Sequence, residues 1–333
     1  NTSFNTSAVA SITINMGDQG DTLEVRALNA NFTGTLTLNG GASNDTFNIG
    51  GTPGTLDGLS ASITINGLGA TGDVININES ADNTGNTYVI DATSIDRNAG
   101  QVTVNFSNVE ALNLNLGGGD DTVTVAPNAD AAIDIQGGGH VTGDSITIDL
   151  DSVTDPDLQI APPDNFTATF SNRETLTFDG FEEVDAVNGN FGNLEINAGA
   201  AGDDATADFF RITRSGGNII IEIDTTSGDG TGYAQLGPSL GIGLFGEITV
   251  QGSSDDDTLS LVSSGAGDPI PAGGLTFNGE AGTDSLFLTG GTWTTNTYNF
   301  TGSTVDGNDG SIDLDALTIT FTGLDPIVNA GVV

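Results

Sequence analysis

Cysteine is absent from this 333-residue chain, and so is lysine. The first absence excludes disulfides, thiol nucleophiles and Cys-ligated zinc or iron–sulfur centres. The second excludes Schiff-base chemistry on lysine and the lysine of a phosphate-binding loop. The basic residues are five arginines (Arg26, Arg97, Arg173, Arg211 and Arg214), set against 45 acidic residues for a formal net charge of −40. Without a basic patch, nucleic acid and anionic membrane surfaces are disfavoured as partners, because phosphate contacts come mainly from Lys and Arg. One histidine, His140, would have to carry all imidazole chemistry. It lies in Gly137-Gly-Gly-His-Val and reads as a solvent-exposed corner residue, not a base. No apolar run approaches the roughly 20 residues that span a bilayer as a helix, so membrane insertion is not expected. The opening Asn1-Thr-Ser-Phe-Asn-Thr-Ser has neither the basic nor the apolar region of a secretion signal. The expectation is a removed leader or a segment of a longer polypeptide. Charge so unbalanced repels itself unless cations screen it. Both a salty habitat and bound divalent metal meet that need.

What the chain has in quantity is glycine, 49 residues, much of it at one recurring corner. Asn115-Leu-Gly-Gly-Gly-Asp-Asp-Thr-Val-Thr-Val125 is the clearest copy. Asn15–Val25, Asn39–Ile49, Gln251–Leu261 and Asn278–Leu288 repeat its plan. In all five an amide side chain lies six residues before an Asp (Asp21, Asp45, Asp121, Asp257, Asp284), and Thr or Ser follows, then apolar, any, apolar. Looser copies end at Asp73 and Asp144, and a distorted one at Asp203 or Asp208. The spacing from Asp21 to Asp45, Asp45 to Asp73, Asp121 to Asp144 and Asp257 to Asp284 is 23 to 28 residues. Periods of that size mark repeat architectures.

Between corners lie short alternating segments such as Ser11-Ile-Thr-Ile14, Thr35-Leu-Thr-Leu38, Ser62-Ile-Thr-Ile65 and Gly274-Leu-Thr-Phe277. Alternation of period two puts one face inside and one outside. No segment has a helical period. These features predict an all-β fold, a right-handed parallel β-helix (β-solenoid) with coils of about 23–28 residues and loop excursions. A row of β-sandwiches is the rival, but the repeat is too short for a domain of roughly 100 residues. The expected organisation is regular coils over 1–160, irregular coils with loops over 161–240, and regular coils over 241–333. Two blocks match over some 30 residues, one from Asn86-Thr-Tyr-Val-Ile90 to Phe106-Ser-Asn-Val-Glu110, the other from Asn296-Thr-Tyr-Asn-Phe300 to Phe321-Thr-Gly-Leu-Asp325. Phe178-Asp-Gly-Phe-Glu182 is a third relative. The chain stops inside a corner at Asn329–Val333, which suggests continuation into a further repeat or subunit.

Gly117-Gly-Gly-Asp-Asp-Thr-Val-Thr-Val125 and Gly17-Asp-Gln-Gly-Asp-Thr-Leu-Glu-Val25 resemble the haemolysin-type (RTX) calcium-binding repeat, Gly-Gly-x-Gly-x-Asp-x-apolar-x. The resemblance implies parallel coils with Ca2+ held between turns by Asp carboxylates and backbone carbonyls. The candidate ligands are Asp18, Asp21, Asp45, Asp120, Asp121, Asp255, Asp256, Asp257 and Asp284. The family repeats every nine residues without interruption, whereas here the corner comes once per coil or less often. The alternative for the same corners needs no metal: Asn15, Asn39, Asn115 and Asn278 would stack as an amide ladder. Asn-x-Ser/Thr acceptors for glycosylation occur at Asn1, Asn5, Asn31, Asn44, Asn78, Asn105, Asn165 and Asn299.

Carboxylates are the catalytic groups left, and they recur along the chain as architecture does, while a catalytic pair occurs once. The expectation is therefore no enzyme. The chain reads as an extracellular or cell-surface structural repeat protein forming a rod, filament, sheath or surface layer, adhesive, calcium-stiffened and self-associating end to end. The alternative is a carbohydrate-active β-helix that binds or cleaves polysaccharide. A groove with two or three carboxylates beside an Arg would favour it.

Overall fold

The computed structural model describes residues 9–28, 32–51, 54–59, 62–197, 207–224, 230–304 and 307–330. Asp203, the acceptor sites Asn1, Asn5 and Asn31, and the last three residues of the closing corner lie outside them. The protein is all-β: among the described residues there is one 3-10 turn, at Ile242–Leu244, and no α-helix. Long sheets of mostly parallel, in-register strands dominate. The chain forms two compact units, Asn1–Thr154 with Thr169–Asn188, and Asp155–Ala168 with Gly189–Val333.

In the first unit, successive strands go alternately to two sheets. Ser11–Gly17, Thr35–Gly41 and Ser62–Leu68 pair side by side in one. Thr22–Val25, Thr46–Ile49 and Val74–Asn78 pair in the other. The register sets each inward residue on its counterpart: Leu38 on Ile65 on Phe106, and Phe47 on Ile75 on Leu112 on Ile133. All of these are buried. Side chains alternate across a strand, so the apolar members of each Thr-Leu-Thr-Leu or Val-Ile-Asn-Ile segment share one face. Burial of each contributes about 1.5–3 kcal/mol. The Thr and Asn members are left on the outer face, where β-branching at Thr suits extended backbone.

The excursion after Glu79 is a three-stranded antiparallel meander, Thr87–Ile90, Ser94–Arg97 and Val102–Ser107. Its last strand returns in parallel register to Ser62–Leu68, and its first strand starts a new parallel run with Thr122–Val125. This shifts the repeat by half a coil. The corners at Asp21, Asp45 and Asp73 lead from the first sheet to the second. The corners at Asp121 and Asp144 lead from the second sheet back to the first. Nearly identical sequence corners thus sit on two different edges, which no count of sequence period reveals.

In the second unit, Phe191–Asn197, Phe245–Gln251 and Leu275–Asn278 pair in parallel with the first half of the long strand Leu317–Asn329. Phe209–Ser215, Thr258–Val262 and Asp284–Thr289 pair in parallel and meet the second half of the same strand. The block beginning at Asn296 folds as Asn296–Thr304, Gly307–Leu314 and Leu317–Asn329, again an antiparallel meander. Its sequence match to the block at Asn86 is thus a match in topology.

Candidate functional site

Each element of the corner motif has a separate mechanical task. The amide six residues before the Asp stacks on its counterpart: Asn39 Nδ2 donates to Asn15 Oδ1 at 2.7 Å, and Asn278 Nδ2 to Gln251 Oε1 at 2.9 Å. In three of the five copies the next residue is a glycine (Gly40, Gly252, Gly279) and the Asp carboxylate folds back over it, while Met16 and Leu116 follow the amide in the other two. A Cβ on Gly40 would lie 2.4 Å from Asp45 Oδ2, one on Gly252 2.6 Å from Asp257 Oδ2, and one on Gly279 2.4 Å from Asp284 Oδ2. The Asp then accepts a hydrogen bond on Oδ1 from the backbone N–H of the neighbouring corner's Asp. Asp21 N donates to Asp45 at 2.8 Å and Asp45 N to Asp73 at 2.7 Å. On the other edge, Asn86 N donates to Asp121 at 2.7 Å and Asp121 N to Asp144 at 2.6 Å. In the second unit, Asp208 N donates to Asp257 at 3.1 Å and Asp257 N to Asp284 at 2.8 Å. The residue after the Asp continues the backbone ladder, as in Thr46 N to Asp21 O and Ser285 N to Asp257 O.

A longer side chain closes each run in the first unit. Asp73 N donates to Glu110 Oε2 at 2.8 Å, and Asp144 N to Glu182 Oε2 at 2.7 Å. Glu110 and Glu182 end the Phe-x-x-apolar-Glu segments, which turn without the glycine-rich loop, so a glutamate spans the extra distance. Their role was missed in the sequence, although the shared Phe-to-Glu pattern was visible there.

The expected calcium ligands therefore separate. Asp45, Asp121, Asp257 and Asp284 are buried members of the ladder. Asp21 contributes its N–H to it. Asp18 is exposed, and its carbonyl accepts from Ser43 Oγ at 2.7 Å. Asp255 N donates to Ser253 Oγ, and Asp256 Oδ1 accepts from Thr283 N at 2.7 Å. Asp120 Oδ1 accepts from the N–H groups of Val141, Thr142 and Gly143 at 2.7–3.2 Å, and its Oδ2 from Thr142 Oγ1. This nest holds the Asp120 carboxyl far below the usual range. The ladder members form lines of single carboxylates spaced by the coil, not a cage gathered about one point.

Burial without full pairing has an electrostatic cost. The Oδ2 atoms of Asp45, Asp73 and Asp144 are buried and make no hydrogen bond. Burial pushes the carboxyls of Asp73, Asp144 and Asp257 up, and that of Asp121 to about 6. Such a carboxyl takes up a proton on folding between its unfolded pKa, about 4, and its folded one. Its stabilising contribution is present below the unfolded value and is lost as pH rises through the folded value. Asp82, Asp91 and Asp120, shifted down, act only below about pH 4. The melting temperature is thus expected to rise, not fall, between pH 7 and pH 5. The Asp121 shift is worth on the order of 1 kcal/mol after solvent screening. Asp121→Asn should remove part of this slope, and differential scanning calorimetry across pH 4.5–7.5 checks it. A flat or falling curve toward pH 5 would remove the buried-carboxylate account.

A second cluster was not read from the sequence. Arg97, 2% exposed, lies against Glu79 at 2.9 Å and Asp82 at 2.6 Å, with the more exposed Asp57 at 2.9 Å. Tyr88 Oη donates to Glu79 Oε2 at 2.8 Å, and Leu56 N donates to Glu79 Oε1. Burial pushes the Glu79 carboxyl up despite these donors. Burial acts in the same sense on Asp82, but hydrogen bonds from Thr84 and Asn86 and the Arg97 charge outweigh it and lower its pKa. The cluster ties the loop at 54–59 to the meander that shifts the repeat.

On the outer face of the second sheet of the same unit, Asn76 Nδ2 donates to Asn48 Oδ1 and Asn113 Nδ2 to Asn76 Oδ1, both at 2.8 Å. This row floors an open depression of about 510 Å³, with Glu24 and Asp134 toward its two ends and Asn78, Asn115 and Gln136 along one side. Glu24 and Asp134 lie four strands apart in the register, roughly 19 Å at the usual strand spacing.

No protein-family model matches the chain, and no curated protein matches it. The likeness to haemolysin-type repeats therefore has no support from relatives.

Proposed function

We propose that the chain is an extracellular structural repeat protein whose coils form a right-handed parallel β-helix, with the acidic corners as its fastening. The observation that carries this reading is the carboxylate-to-amide ladder. The same bond recurs at Asp45, Asp73, Asp121, Asp144, Asp257 and Asp284, each time joining one coil to the next. A residue type spent at every coil on backbone pairing is spent on architecture. The absence of cysteine and lysine and the single histidine agree with a chain that does no catalysis of its own. End-to-end self-association belongs to this reading. Analytical ultracentrifugation across a concentration series tests it: growing assemblies are expected, and a monomer at all concentrations would contradict it.

Calcium enters as an addition to corners that are already hydrogen-bonded. With weak extracellular sites of about 10⁻⁴–10⁻³ M, millimolar Ca2+ should raise the melting temperature by a few degrees over chelator. Overlaying curves would remove the ion from the account.

The depression floored by Asn48, Asn76 and Asn113 supports a second reading, that of a polysaccharide-binding face. A row of amides offers hydrogen-bonding groups at a repeat of about 4.8 Å. Hydrolysis at this groove is not part of that reading, since catalytic carboxyl pairs lie about 5–10 Å apart. Affinity electrophoresis against neutral and acidic polysaccharides tests it, with retention by neutral chains expected and lost in Asn76→Leu.

A further inference from the structure

The chain's one histidine stands beside the closing glutamate of a ladder. His140 Nδ1 lies 3.1 Å from Glu182 Oε1. A carboxylate oxygen of Asp144 completes a group of three in which all ligand atoms lie within 4.8 Å of one another. Asp144 is 1% exposed, and its Oδ2 is buried and without a hydrogen bond. Its Oδ1 is already used by the N–H of Asp121, and Glu182 Oε2 by the N–H of Asp144. One oxygen on each carboxylate therefore remains after the ladder is made.

We propose that His140, Asp144 and Glu182 bind a divalent first-row transition metal ion such as Zn2+. The donor set is one imidazole nitrogen and two carboxylates, and imidazole selects this class over Ca2+ and Mg2+, which prefer all-oxygen shells. Two carboxylates match the ion's charge of two, and coordination of Asp144 would supply its buried oxygen with the partner it lacks. The side chains of His140 and Glu182 are 38% and 39% exposed, so both have room to close from the present separations to the 2.0–2.2 Å bonds of zinc. The segment that carries His140 is held in place by the Asp120 nest, whose three backbone donors are the residues directly after it. Three protein ligands leave a fourth position for water or for an outside donor, such as a carboxylate or imidazole of another molecule.

The equivalent place on the other edge, where Asp73 N meets Glu110, has the carboxylates but no histidine. It serves as an internal comparison for binding by acidic groups alone. The sequence reading of His140 as an exposed corner residue holds for its exposure and omitted its partner.

The test is calorimetric titration of the chelator-stripped full chain with Zn2+, repeated with Co2+ while following its visible absorption. The expected result is one saturable site with an imidazole-dependent cobalt spectrum, not displaced by excess Ca2+. His140→Ala, on an exposed loop, should fold normally and weaken binding by about tenfold or more. Glu182→Gln, which keeps an acceptor for the Asp144 amide, should also weaken it. Equal binding by wild type and His140→Ala, or only a series of weak sites present in both, would overturn the proposal. So would no saturable binding to the wild type.

Discussion

Arg97→Met should lower the stability of the first unit by about 3–5 kcal/mol, the cost of leaving buried carboxylates without their counter-charge. For a unit of this size that corresponds to a fall in melting temperature on the order of 10 °C. Arg97 is 2% exposed, and among the described residues it is the only cation set against Glu79 and Asp82, themselves buried. Asp57 is 61% exposed on its side chain and contributes little, since water screens that contact. The triple variant Arg97→Met, Glu79→Gln, Asp82→Asn should recover much of the loss, because charge is then removed from both sides. Thermal unfolding of the single and triple variants checks this. A loss below about 1 kcal/mol in the single variant would show that water reaches the cluster. The cluster fastens the meander that moves the repeat by half a coil, so its loss should be felt by the strands on both sides of it.

Gly67→Ala should be among the most damaging of the glycine substitutions in the same unit, and the one that strikes the ladder itself. A methyl built there would lie 1.9 Å from the carbonyl oxygen of Asn108 and 2.3 Å from Asp73 Oδ2. Neither neighbour can move freely. One is backbone, and the other belongs to a carboxylate whose Oδ1 accepts the N–H of Asp45. Relief requires displacing the corner or breaking the ladder, at a cost of about 1–3 kcal/mol or more. Gly139→Ala is the matched comparison: its nearest neighbour would be 3.8 Å away, an ordinary contact, and a change within about 0.5 kcal/mol is expected. Equal melting temperatures for the two variants would contradict the close-packed corner.

Much of the local structure was legible in the chain. Segments such as Thr35-Leu-Thr-Leu38 and Val74-Ile-Asn-Ile77 announce their inward face by alternation alone, and they form strands with Leu36, Leu38, Ile75 and Ile77 buried. The shared spacing of amide and Asp announced the corner. What did not show was the partner of each Asp, because that partner is a backbone N–H 23 to 28 residues away in the regular coils. Backbone groups carry no sequence signature. Distance in the chain also hid the Arg97 cluster, which gathers Asp57, Glu79, Asp82 and Tyr88 from one loop, its neighbour and a hairpin. The glycine that follows the amide at Gly40, Gly252 and Gly279 was readable only as turn chemistry. Its reason is the folded-back carboxylate, which needs the space a Cβ would take. The likeness to a calcium-binding repeat came from Gly and Asp occurring together, and the ladder shows a second physical reason for that pairing.

The central claim is that the acidic corners are architectural: loops by sequence, but with their Asp amides locked into carboxylates of the next coil. Residue-resolved hydrogen exchange in chelator measures this directly. The account predicts that the amides of Asp45, Asp121 and Asp257 exchange as slowly as those of the adjoining strands, and equally slowly with Ca2+ present. Exchange at the rate of exposed loops, or protection that appears only when Ca2+ is added, would contradict it.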